Sequence, residues 1–183
     1  SGADLTEFGT APSLSVAREV RFERGVWELW AGIEKPFVVA LHGYVLGSGL
    51  EMALMCDLRL GSGDVRFGLP EVALGTLPGA GGTQTVPRTL GIPSAMEMLL
   101  TNRRLDSQKA LDLGLLHWVF PRGKLFEEAW SLAVKLASLD SRVVRLAKKV
   151  LLHGMDLPLS SALELEERLA LQALTGYQSQ DLN

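Results

Sequence analysis

Apolar positions along this chain recur with two periods, and each period predicts a different element. Phe37-Val38-Val39-Ala40-Leu41 is an unbroken apolar run, the pattern of a short strand covered on both faces by helices. Upstream, Ser13 to about Ile33 has helical spacing, with Val16, Val20, Val26, Leu29 and Trp30 on one side packing into a core. Lys35-Pro36 ends that helix, because the residue before a proline avoids the α region. After the strand, Gly43 to Gly47 predicts a turn and Gly49 to Met55 a helix. Asp57–Leu60 and Val65–Phe67 predict short strands around a Gly61-Ser62-Gly63-Asp64 turn.

The second half shifts to helical spacing. Helices are expected over 83–90, 93–101, 107–113, 123–138, 142–153 and 160–174, with one strand at 116–120. Asp106 ahead of Ser107-Gln108-Lys109 suits an N-cap. Pro121 and Pro158 stand at helix entries, where a missing N–H costs nothing. In the last helices Glu164, Glu166, Glu167 and Arg168 mark a wet face and Leu163, Leu169 and Leu171 an apolar one. The order is an α/β layer, residues 1–120, followed by a helical region, residues 121–183.

The totals narrow the function classes. The 183 residues suit one domain. Eighteen Lys and Arg against 21 Asp and Glu give a net charge of −3, which offers no electrostatic case for nucleic acid as the main partner. A basic run at Arg142, Arg145, Lys148 and Lys149 reads as a solvated helix face. The single cysteine, Cys56, excludes an intrachain disulfide and a multi-cysteine metal site and reads as a buried small residue. His42, His117 and His153 have no metal-ligand spacing. No apolar run is long enough to span a membrane, and no signal-peptide pattern opens the sequence.

The informative chemistry is a pair of glutamates in glycine-rich surroundings. Glu51 lies in Leu46-Gly47-Ser48-Gly49-Leu50-Glu51-Met52-Ala53, a poor place for a surface charge. Glu71 lies in Phe67-Gly68-Leu69-Pro70-Glu71, ahead of Gly75-Thr76-Leu77-Pro78-Gly79-Ala80-Gly81-Gly82. Two neighbouring carboxyls with partial burial divide into one protonated and one ionised group, which suits paired acid and base chemistry. The turn before Glu51 opens a helix, where the first N–H groups have no internal partner. The Ser48 N–H is therefore placed to donate to a developing oxyanion. Other readings of the glycines fail. Met52 stands where a dinucleotide fingerprint needs its third glycine, and Leu46 and Leu50 flank Ser48 where a nucleophile elbow needs glycines.

Three segments together resemble the enoyl-CoA hydratase/isomerase (crotonase) superfamily. They are Ser1-Gly2-Ala3-Asp4-Leu5, then His42 to Ala53 with Cys56-Asp57, then Phe67 to Glu71 with Gly75 to Gln84. The resemblance covers nearly the whole chain and implies a spiral of ββα units with a C-terminal helical region. It implies an oxyanion hole from the backbone N–H groups of Ala3 and Ser48, and Glu51 and Glu71 as the catalytic pair. Ala3, Asp4, Leu5 and Thr6 would border the acyl-CoA, and the Gly79 N–H would help place a water. Ser48 departs from the family, which has glycine there, although the backbone donor survives. The family's opening strands before Ser1 and its basic tail after Asn183 are expected in a longer protein.

The implied reaction is reversible hydration of a 2-enoyl-CoA to a 3-hydroxyacyl-CoA, as in fatty-acid β-oxidation, with no metal or separate cofactor. Double-bond isomerisation, which runs on Glu71 alone, is the nearest alternative. A non-catalytic relative that binds RNA or builds an assembly is the alternative of another class. The resemblance further implies a homotrimer or a dimer of trimers, and a cytoplasmic location, or a mitochondrial one after loss of a presequence.

Overall fold

The computed structural model describes residues 2–7, 9–16, 19 and 26–178. The chain divides into two compact units, Ser1–Gly32 with Phe37–Trp130, and Ile33–Pro36 with Ser131–Asn183.

The first unit is built on two three-stranded sheets. Strands β1 (Val38–Leu41), β3 (Leu58–Ser62) and β6 (Trp118–Phe120) form one sheet in the order β1-β3-β6, all parallel. Strands β2 (Tyr44–Leu46), β4 (Arg66–Gly68) and β5 (Leu105–Asp106) form the other in the order β2-β4-β5, with β2 parallel and β5 antiparallel to β4. The chain alternates between sheets and then makes a helix. β1 and β2 lead into α2 (Ser48–Leu54), and β3 and β4 lead into α3 (Gly82–Leu90). These are the ββα turns of a spiral, as the resemblance implies.

The aliphatic and aromatic residues of these strands and helices explain the order. Leu41, Val45, Leu50, Phe67, Val86 and Met98 join one buried cluster that locks the two sheets to α2, α3 and α4 (Ile92–Thr101). Short polar bonds fix the strand starts. The Phe37 N–H donates to Asp57 Oδ2 at 2.7 Å, while the N–H groups of Asp57 and Leu58 donate to the Phe37 carbonyl. Asp106 caps α5 (Ser107–Asp112) by accepting the Lys109 N–H at 2.8 Å, as expected from sequence.

Several expectations are corrected. The segment 43–47 contains a strand, β2, as well as turns, because Tyr44–Leu46 pairs with the distant residues 66–68. Gly61 and Ser62 belong to β3, where they pair with Val119 and Phe120, so the expected turn is confined to Gly63-Asp64, and it carries the chain from one sheet to the other. β1 is not covered on both faces: Leu41 is buried while Val38, Val39 and Ala40 are half-buried, and among the described residues its pairing partner is β3. Of the helix expected over 13–33, residues 14–16 and 19 are helical, with Val16 38% exposed rather than in the core, and Val26–Ala31 forms α1. There Leu29 is 71% exposed, while Trp27 and Trp30, three residues apart, are the half-buried side chains. Val20 and the side chain of Val26 lie outside the described residues.

Helix α6 (Arg122–Ala137) begins in the first unit, where Arg122 donates to Asp64 Oδ2 at 2.7 Å. The second unit holds α7 (Ser141–Gly154) and α8 (Leu159–Gln178). Its inward stripe on α8 is Ala162, Leu165, Leu169 and Ala173, at spacings of three and four. Leu163 and Leu171 fall off that stripe and are 54% and 56% exposed, so of the expected apolar face only Leu169 points inward. Two of the four basic residues of α7 are tied inward. Arg142 donates to the Ala173 carbonyl, and Lys148 donates to the carbonyls of Ile33 and Lys35. Among the described residues, no helix is long and apolar enough to cross a membrane.

Candidate active site

A cleft of about 550 Å³ in the first unit is lined by the residues that the sequence singles out. Glu51 comes from the middle of α2, Glu71 from the loop after β4, Ser48 from the first position of α2, Ala3 and Leu5 from the opening segment, and Gly79 from the second glycine cluster. Asp4 and Thr6 do not line it. They are engaged with each other, Asp4 Oδ1 accepting both the Thr6 N–H at 2.9 Å and the Thr6 hydroxyl at 2.7 Å.

Local backbone explains how the two carboxyls come to share one cleft. Gly47 is the N-cap of α2, with φ 54° and ψ −127°, a conformation costly for any residue with a side chain. A Cβ at Gly47 would also stand 2.7 Å from Glu71 Oε1. Gly47 therefore both starts the helix that carries Glu51 and leaves room for Glu71. The opening segment approaches the same turn closely: a Cβ at Gly2 would stand 2.5 Å from the Leu46 carbonyl oxygen and 3.7 Å from the Ser48 nitrogen.

The two carboxyls have different surroundings. Glu51 is only 2% exposed, and its Oε1 accepts the N–H groups of Ala80 and Gly82, each at 2.8 Å. Glu71 Oε2 is buried without a hydrogen-bond partner. Burial holds the Glu71 carboxyl above the ordinary glutamate range; its own backbone N–H opposes this, and the charge of Glu51 adds to it.

The resemblance implies a water-placing role for the Gly79 N–H in the glycine cluster. Gly79 does line the cleft, yet the N–H groups of Ala80 and Gly82 serve Glu51. The signal was present as a run of residues without bulk, but nothing local says which carboxylate a backbone N–H will meet 29 or 31 residues away. Trp27, Leu46, Leu74 and Leu77 were also missed; they give the cleft its apolar walls. Cys56 is buried, as expected, and lies outside this cleft. His117 has a structural task, its Nδ1 accepting the Arg59 N–H at 3.1 Å. His42 is exposed, with its Nδ1 3.3 Å from Arg122 Nη2.

Comparison with known proteins gives a consistent result. The family model described as enoyl-CoA hydratase/isomerase matches residues 1–180. A probable enoyl-CoA hydratase of Rhizobium meliloti (strain 1021) is 38% identical over 156 residues, covering 85% of this chain and 60% of the relative. The 2,3-dehydroadipyl-CoA hydratase of Escherichia coli (strain K12) is 36% identical over 169 residues, covering 92% of this chain and 66% of the relative. This chain thus spans less than two thirds of the length of either. Among solved structures, an enoyl-CoA hydratase from Bacillus anthracis superposes with a TM-score of 0.85 at 33% identity, over 98% of this chain and 73% of that one.

Proposed function

Because this chain belongs to the enoyl-CoA hydratase/isomerase family, we propose that its cleft adds water reversibly across the double bond of a 2-enoyl-CoA. The observation that carries this reading is the unequal treatment of two carboxyls in one cleft: Glu51 held by two N–H donors, Glu71 half-buried with its Oε2 enclosed and unpartnered.

In the forward direction Glu51, ionised, takes a proton from the water whose oxygen bonds to C3. The electron pair of the double bond moves toward the thioester carbonyl, giving an enolate-like oxygen. The backbone N–H groups of Ala3 and Ser48 receive that charge. Glu71, protonated, gives its proton to C2, and the product is a 3-hydroxyacyl-CoA. Glu51 then carries a proton and Glu71 a charge, and proton exchange with solvent restores the pair. Burial raises the proton affinity of Glu71, the direction that suits a proton donor. Isomerisation would need only one carboxyl, and it leaves the anchoring of Glu51 without a purpose.

Ser48→Pro tests the backbone donor. Ser48 is the first residue of α2, where proline fits without breaking a helix bond, so the substitution replaces the N–H with a ring carbon and leaves the helix in place. The expected result is a folded protein whose turnover of a 2-enoyl-CoA falls by about 10²–10³-fold. Full turnover in Ser48→Pro would remove Ser48 from the oxyanion hole.

A further inference from the structure

Glu51 is held by the start of a helix other than its own. Gly82 opens α3, and Gly81 before it, with φ 104°, has no side chain to cap it. The Glu51 carboxylate gathers two N–H groups at that turn, the Gly82 N–H at the first helical position and the Ala80 N–H two residues earlier. The fit is close on the carbon side as well. A Cβ at Gly82 would lie 3.0 Å from Glu51 Oε1, 3.2 Å from Glu51 Cγ and 3.0 Å from Pro78 Cβ. Pro78 and the Glu51 side chain thus leave no free volume at position 82, and any added atom must displace one of them.

We infer that Gly82 is a positioning residue: with the Ala80 N–H it clamps Glu51 through Oε1, and its lack of a side chain sets how the carboxyl is aimed into the cleft. The inference rests on the hydration reading for its catalytic consequence, although the clamp itself is a statement about contacts. It separates cleanly from a role in folding. Gly82 is helical and outside the positive-φ region, so its backbone accepts alanine, which is the better helix former. A purely structural glycine at this place predicts that Gly82→Ala loses stability through crowding against Pro78 while the folded protein keeps its kcat.

The clamp predicts something else. Gly82→Ala keeps its KM, while kcat of the folded protein falls by roughly tenfold or more, since small misplacements of a catalytic group are costly. In a Glu51→Gln background the same substitution costs no further activity, because both changes act through one side chain. An independent readout is the amide proton resonance of Ala80, which moves in Gly82→Ala and in Glu51→Ala if the carboxylate is its acceptor. The second of these variants adds no atom at position 82 and guards against a misfolded Gly82→Ala. Unchanged kcat in Gly82→Ala, an equal further loss in the Glu51→Gln background, or an unmoved Ala80 resonance in both variants overturns the inference. A wild-type protein that hydrates no enoyl-CoA overturns the hydration reading instead, and the Ala80 resonance then decides the clamp alone.

Discussion

Glu71 and Glu51 are the same residue type twenty positions apart, and their surroundings make them opposites. The charged form of Glu71 is disfavoured by burial, so its folded-state affinity for a proton exceeds that of the unfolded chain. The folded protein then binds more protons than the unfolded one between those two values. Stability is full below the ordinary glutamate range and is lost as pH rises through the value Glu71 has in the fold. Glu71→Gln, which cannot ionise, should flatten that part of the curve and unfold at higher denaturant than wild type at pH 7. Denaturant unfolding across pH 4 to 8 measures it, and a parallel pair of curves would contradict it. Both carboxyls were legible in the sequence, because a glutamate among Leu50, Met52 and Ala53 has no place on a solvated face. Their asymmetry was not, since it depends on Ala80 and Gly82 arriving from another turn of the spiral.

At the scale of elements, the long helices and the continuous apolar run were readable from spacing alone. The short strands were less so. β2 has three residues and β5 two, and each is made by pairing with β4 rather than by its own pattern. Parallel pairing of β3 with β6 joins residues nearly sixty positions apart and also leaves no local trace. His117 belongs to that junction. It accepts the Arg59 N–H through Nδ1, and its own N–H donates to the Arg59 carbonyl at 2.9 Å. Burial, followed by the nearby Arg59 charge, lowers its affinity for a proton below the ordinary histidine value. Unfolded chains then bind the proton first as pH falls, so the stability contribution present above the ordinary value is lost through the lower value His117 has in the fold. We expect wild-type stability to decline on acidification below neutrality, and the decline to shrink in His117→Gln. An unchanged pH slope in that variant would remove His117 as the cause.

The first compact unit contains every cleft residue named here, while the second presents apolar side chains outward on α7 and α8. Leu151, Met155, Leu159, Leu163, Leu171 and Leu174 are all exposed in the single chain. That surface suits burial against further copies, in keeping with the trimer or dimer of trimers that the resemblance implies. Leu171→Glu should shift sedimentation toward the monomer, and a wild-type protein that sediments as a monomer at all concentrations would defeat this reading. The chemistry itself is decided by a spectrophotometric assay with crotonyl-CoA and longer or branched enoyl-CoAs, run on wild type, Glu51→Gln and Glu71→Gln. The account predicts turnover by wild type and a loss of about 10²-fold or more in each variant, with both variants folded. Undiminished hydration in both variants would contradict it.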